Sequence, residues 1–472
     1  MRHILEPGLN CWQVGAAAAS NVLVDADAYY AAFYAAASRA QRHISLAGWQ
    51  FDTEVALLRG PAAERARYPV RLLAFLDALC RERPNLRVRI LAWDYSVVYS
   101  LEREWLQGLK FAFQTGPAIQ FEFDAHPHFA GSHHQKLAII DGVLAFAGGL
   151  DLCAERWDDR AHTLDNPLRT DDAGQSARPN HEVQASVKGP VVSLLTQLFC
   201  ERWTAAVGEQ LTLQPVPDSP VLELELPVLD RSAVLPLRAP HVAIARTVAG
   251  TPQAGEREIE RAYCDAFSAA ERLIYVETQY FTSRVLTEAL CWRLRDATRP
   301  ALQVLIVMPN GADNAKERFA LGDLQSDALS ELEGTAAAHG HELRLLCSAK
   351  AGAREATFIH SKLMIVDDQL LSVGSANMTD RSMALDSELC LLWQAAPGSD
   401  LSRDIQRLRA SLLAEHSGRD SNDFLQITGL VQRLDAWIAA RATRLRACHF
   451  DPTSASPFKK AIFDPLGPLG TG

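Results

Sequence analysis

Apolar residues recur along this chain in two alternating rhythms. Residues 26–41, ADAYYAAFYAAASRAQ, carry aromatic side chains on one stripe of an Ala-rich stretch and predict a helix. HISLAGWQFD follows and reads as a strand. The same pair returns in residues 255–270, GEREIERAYCDAFSAA, and in LIYVETQYF. A second helix and strand follow in each half, LRVRILAWD (86–94) matching LQVLIVMPN (302–310). Matching strands are offset by 230 residues (Ile44 to Ile274) and by 216 (Leu86 to Leu302). An ordered repeat of this kind predicts one plan used twice. Alternation of helices with apolar strands predicts α/β layers around largely buried sheets.

The breaks in the pattern divide the chain. Prolines at 215, 217, 220, 227, 236 and 240 exclude a helix and most central strands there. Residues 208–242 are therefore expected to connect a first domain (1–207) to a second (243–448), with VLELEL (221–226) as candidate edge strand. The polar stretch DNPLRTDDAGQSARPN (165–180) reads as an inserted loop, of the kind that forms a lid or is simply mobile. The tail, 449–472, is rich in Pro and Gly and is expected to be irregular.

Candidate chemistry lies in SHHQKLAIIDG and IHSKLMIVDD, which keep an offset of 226 residues from His134 to His360. Each is followed by an apolar strand ending in glycine, Gly148 or Gly374. On a strand, residues i and i+2 share a face, so His134 lies beside Lys136 and His360 beside Lys362. An imidazole serves as nucleophile or proton carrier near neutral pH, and lysine suits the non-bridging oxygens of a phosphoryl group. Two such pairs supply a nucleophile on one side of phosphorus and an acid on the other. One HxK is weak evidence; two complete copies at matching places in a repeat point to one composite site. Asp141 and Asp367, five residues past the lysines, fall on the opposite face and read as structural anchors of a turn. No metal or cofactor is needed. His128, His162 and His181 show no metal-ligand spacing, and His133 is expected to be structural.

Composition narrows the partners. Of 472 residues, 48% are hydrophobic and 22% charged, ordinary globular values. The net charge of -10 argues against a nucleic-acid partner. Nine scattered cysteines with no CxxC pair suggest neither a zinc site nor a disulfide framework. Neither a signal peptide nor a spanning helix is expected, so the location expected is cytoplasmic or peripheral at a membrane, with signal-less export left open. Trp49 and Trp93 end strands near the expected site, where packing is the favoured reading.

SHHQKLAIIDGVLAFAGGLDLCAERWD and FIHSKLMIVDDQLLSVGSANMTDRSMALDSEL resemble the two signatures of the phospholipase D superfamily, more closely its lipid-directed branch of bacterial phospholipases D and cardiolipin synthases. YVETQYF is similar to that family's ENQYF segment, with Thr278 in place of Asn. The resemblance spans roughly residues 40–395. It implies two α/β/α sandwich domains forming a pseudo-dimer with mixed, mostly parallel sheets, packed edge to edge around one cleft. It implies a phosphohistidine, with His134 as nucleophile, His360 as acid and base, and Lys136 and Lys362 on the phosphoryl oxygens. Asn377 with Ser375, and Asp151 at the matching place in the first half, would support the site. Glu182 would orient His134, and Glu388 would orient His360. Glu277 and Gln279 share a face and would either touch substrate or brace the second motif. The implied activity is headgroup hydrolysis or exchange on a glycerophospholipid by a monomeric, peripheral enzyme. Cardiolipin synthase-like transfer and nuclease-type hydrolysis are the alternatives.

Overall fold

The computed structural model describes residues 3–94, 116–128, 131–171, 174–226, 232–249, 255–310, 315–349 and 356–448. The expected tail from 449 lies outside them. The predicted opening pairs form as helix Asp25–Ala37 with strand His43–Gly48, and helix Glu258–Ala269 with strand Leu273–Glu277.

Two large sheets carry the molecule. The first places strands Val234–Leu237, Ala19–Val24, Val183–Lys188, Leu144–Gly148, Leu137–Ile140, His43–Gly48, Arg87–Trp93 and Ile119–Asp124 side by side. The second has the same core plan, with Glu388–Gln394, Leu370–Gly374, Leu363–Val366, Leu273–Glu277, Gln303–Val307 and Glu342–Ser348 in that order. Strand Gln13–Ala16, from the start of the chain, crosses over to join this second sheet beside His241–Val248. The expectation of mostly parallel sheets needs correction. Parallel pairing occurs where a helix or long segment makes the crossover, as between Leu273–Glu277 and Gln303–Val307, but antiparallel pairs outnumber it among the described residues. Each motif strand turns straight back into its successor, and so short a connection permits only antiparallel pairing.

The turn is made by the motif aspartates. Asp141 and Asp367 adopt left-handed backbone, with φ of 52° and 56°. Their carboxylates accept hydrogen bonds from the amides of Gln41, Arg42 and His43, and of Glu271, Arg272 and Leu273. Each aspartate thus fastens a hairpin turn to the start of the neighbouring strand in its own half.

The sheets pack face to face rather than edge to edge. Alternate residues of both enter one shared apolar core: Ile139, Ala145, Ala185 and Val187 from the first, Leu371, Val373, Leu389 and Leu391 from the second. The intervening residues, such as Ile140 and Phe146 or Met364 and Leu392, face each sheet's own helices. Period-2 alternation with apolar residues on both faces explains why these strands read as continuous apolar runs. The indole of Trp393 reaches Ser20 Oγ across the interface at 3.4 Å.

Two expectations about the connecting segments also change. Val221 and Leu224 are buried three residues apart, so VLELEL forms a turn and not a strand. The edge strand is Val234–Leu237, where Pro236 sits opposite Asn21 on an edge that tolerates a missing N–H. The described part of loop 165–180 is tied down by buried Arg169, which donates to Asp158 Oδ1 at 2.9 Å and to the carbonyls of Thr163, Leu164 and Ala177.

Candidate active site

Each motif reaches its histidine along a strand borrowed from the other half. Phe358–Ile359 pairs in parallel with Asn180–His181, and the His360 amide donates to the His181 carbonyl at 2.9 Å. At the matching place, Ser387 donates to Ser132, and His134 to Ser387, both at 2.9 Å. Asp386 fixes this second crossing by accepting from the amide and hydroxyl of Ser132, each at 2.9 Å.

The crossing decides which carboxylate meets which ring. His134 Nδ1 lies 3.0 Å from Glu388 Oε2, and His360 Nδ1 contacts Glu182 Oε2. The pairing expected within each half, Glu182 with His134 and Glu388 with His360, is therefore reversed. Both carboxylates are fully buried. An acceptor at Nδ1 fixes the tautomer and leaves Nε2 for chemistry.

The halves differ in how they hold these groups. Ser375 donates to Glu388 Oε2 and accepts from the amide of Leu389 at 3.0 Å. The residue at the same place in the first half is Gly149, where a Cβ would collide with the Glu182 carboxylate. Lys136 Nζ lies 2.9 Å from Asp151 Oδ2, and Asp151 Oδ1 accepts from the amide of Trp49. Asn377 stands where a second Asp151 would be, and its Oδ1 is buried without a hydrogen bond. Lys362 donates to the carbonyl of His360 and lies 4.0 Å from Glu182.

Electrostatics follow from this asymmetry. Burial, with Lys136 and Arg156 nearby, holds Lys362 down at about 7 despite the opposing pull of Glu182. Burial, then Lys362, Arg156, Lys136 and His134, hold His360 well below the usual imidazole range. His134, Lys136 and Lys362 thus all act electrostatically on His360. Burial raises Glu182, whereas His134 and Ser375 outweigh burial at Glu388 and lower it.

Other expected residues take definite places. Glu277 is fully buried and accepts from Tyr275, Ser361 and the Nε2 atoms of His181 and His416. It braces the second motif through Ser361 and does not line an opening, which corrects its reading as a substrate contact. Gln279, 8% exposed, donates to the Tyr280 hydroxyl at 2.7 Å. His133 turns away toward Asp124 at 3.3 Å. Trp49 was undervalued: its ring meets that of His134 edge-on at 5.3 Å, with Trp93 behind it at 4.3 Å. Its position at the end of a strand was the available signal. Arg156 and His181 carried none in the sequence.

Comparison with known proteins identifies the superfamily. The family described as "Phospholipase D" matches residues 118–294, and that described as "Cardiolipin synthase, PLD-like domain" matches 263–409. The chain belongs to the phospholipase D superfamily. Curated relatives include phospholipase D alpha 1 of Zea mays, 24% identical over 81% of this chain and 62% of its own length. Phospholipase D alpha 2 of Oryza sativa subsp. japonica is 26% identical over 85% and 65%. Phospholipase D A of Dictyostelium discoideum is 27% identical over 78% and 32%. This superfamily member thus spans less than two thirds of each of these relatives. Phosphatidylserine synthase from Haemophilus influenzae Rd KW20 shares the fold, with a TM-score of 0.54 and 12% identity over 89% of this chain and 93% of that one.

Proposed function

We propose that this chain is a phospholipase D-type phosphodiesterase that cleaves or exchanges the headgroup of a glycerophospholipid, releasing phosphatidate or a transphosphatidylation product. One observation carries the reading: each motif histidine has Nδ1 on a buried carboxylate of the opposite half and a buried lysine two residues on.

In the first step Nε2 of His134 attacks phosphorus, and the bond from phosphorus to the headgroup oxygen breaks. The electron pair stays on that oxygen, which takes the proton from Nε2 of His360. Water or an alcohol then gives a proton back to His360 and attacks phosphorus, and the P–N bond breaks. Lys136 and Lys362 offset charge on the non-bridging oxygens in both steps. The cations that keep His360 neutral in the free site are those a phosphodiester anion neutralises, so substrate binding favours the proton His360 must donate.

The match of residues 263–409 to the cardiolipin synthase domain favours a second reading, transfer to another lipid's hydroxyl. A nucleic-acid substrate is disfavoured by the net charge of -10. No helix among the described residues is long and apolar enough to cross a membrane. We propose peripheral contact with lipid by a monomer acting from the cytoplasm.

The test incubates the purified chain with mixed phospholipid vesicles and ethanol and follows products by mass spectrometry. Phosphatidate plus phosphatidylethanol is expected, and the lipid consumed identifies the headgroup. His134→Ala and His360→Ala should each lower turnover by roughly 10³-fold or more with circular dichroism unchanged. Cleavage of single-stranded DNA without lipid turnover would sink the lipid reading, and near-normal activity of either variant would sink the two-histidine mechanism.

A further inference from the structure

Beside Glu182, which links the strands Asn180–His181 and Val183–Lys188, four ionisable side chains from distant parts of the chain converge in the interior. They are Asp25 (0% exposed), His162 (3%), His181 (0%) and Glu415 (8%). One donor atom from each lies within 4.8 Å of the others. His162 Nε2 is 3.0 Å from Glu415 Oε1 and 3.7 Å from Asp25 Oδ2. His181 Nδ1 is 2.6 Å from Glu415 Oε1 and 3.1 Å from Asp25 Oδ1. Donors placed tetrahedrally around zinc at ordinary bond lengths stand about 3.3 Å apart, and these four bracket that spacing.

Two further observations point to a ligand at their centre. Asp25 Oδ2 is buried and has no hydrogen bond, although it faces the cluster. The residue is also held in left-handed backbone, at a φ of 66°, and its amide donates to the Glu182 carbonyl at 2.8 Å. Second, both histidines turn one nitrogen inward and give the other to a carboxylate. His162 Nδ1 lies 2.8 Å from Asp158 Oδ2, and His181 Nε2 lies 2.9 Å from Glu277 Oε2. A carboxylate behind the ring is how metal-ligating histidines are usually oriented and made more basic. Glu415 is steadied in the same way, its second oxygen accepting from Arg160.

We propose that Asp25, His162, His181 and Glu415 form a closed structural site for a divalent cation of the zinc class. Two imidazoles select a borderline transition metal over calcium or magnesium, which prefer all-oxygen sites. Two carboxylates and two neutral imidazoles balance its charge. The site joins the halves, since Glu415 comes from the second and the other three from the first. It stands outside the phosphoryl-transfer chemistry: its ligands are not the motif residues, and four protein donors leave no open position for substrate. The spacing of these residues in sequence, with His162 137 positions after Asp25 and Glu415 234 positions after His181, hides the cluster until the chain is folded.

The test is metal analysis of the full chain. Protein produced with added zinc and passed over chelating resin should retain about one equivalent by mass spectrometry of the elements. Absorption at the zinc edge should report two imidazoles. His162→Ala and Asp25→Asn should lose the metal, and His128→Ala, in an exposed loop, should keep it. Wild-type protein holding less than about a tenth of an equivalent would overturn the proposal and leave a network balanced by protons. Retention by a folded His162→Ala would also overturn it. Should both variants fail to fold, the edge spectrum of the wild type decides, and a spectrum without imidazole rejects the site. Lipid turnover enters none of these readouts, so this proposal and the catalytic one fail separately.

Discussion

The carboxylate behind each histidine belongs to the opposite half, and this gives the two glutamates separable phenotypes. Gln in place of Glu388 or Glu182 removes the charge that stabilises an imidazolium and lets its amide donate to Nδ1, holding the ring in the wrong tautomer, a change that costs roughly 10⁴-fold in a comparable Asp-His arrangement. With His134 as nucleophile, Glu388→Gln should slow formation of the phosphohistidine. Glu182→Gln, acting on His360, should slow both formation and breakdown with a natural headgroup, and with a p-nitrophenyl phosphodiester, whose leaving group needs no acid, should let the phosphoenzyme accumulate. Alkaline quenching and intact-mass measurement distinguish the two, and accumulation in Glu388→Gln instead would assign attack to His360. Lys362 and His360 together supply the pH dependence. Lys362 is held down at about 7 and His360 lower still, so kcat/KM should fall on the alkaline side as the coupled pair loses its protons. Arg156 adds to the depression, so Arg156→Gln should move this limb to higher pH. An unmoved limb in the pH profile would reject the pair as its source. The HxK pairs were legible in the sequence as a repeated spacing, although His134–Lys136 and His360–Lys362 sit just before the strands Leu137–Ile140 and Leu363–Val366 and not on them. The partners of the histidines were not legible, because a repeat shows which residues correspond and says nothing of which half each one contacts.

At the scale of elements, the aspartates five residues past the lysines act on the frame. Asp141 accepts from three successive amides and from Ser219 Oγ at 2.7 Å, and Asp367 accepts from three amides at 2.8 Å. Asp141→Ala would leave these donors unpaired and should destabilise the fold by about 2–4 kcal/mol, more than it changes KM. Urea unfolding measures this, and a loss under about 1 kcal/mol would reject the role. Period-2 spacing took both for strand residues on the far face, whereas they lie just past the strands in left-handed turns. The same logic failed at 221–226, where alternating Leu and Glu imitate a strand while Val221 and Leu224 bury at helical spacing. It also overstated parallel pairing, since the left-handed turns at Asp141 and Asp367 leave no local apolar signature.

At the scale of the molecule, the repeat was legible as two halves, but their packing was not. Strands apolar on both sides have to be covered twice, and here one cover is the other half's sheet, so the inner faces form a shared core. A core of this kind, with the motif strands crossing inside one chain, assembles the site intramolecularly. Mixing purified His134→Ala with His360→Ala should therefore restore no turnover. Recovered activity would mean that chains exchange halves. The crossing also bears on how such a protein can change over time. A duplicated unit ordinarily frees one copy to drift while the other keeps the job. Here an injury to one copy's glutamate disarms the other copy's histidine, so neither repeat is a spare, and selection acts on the two as a single hereditary unit.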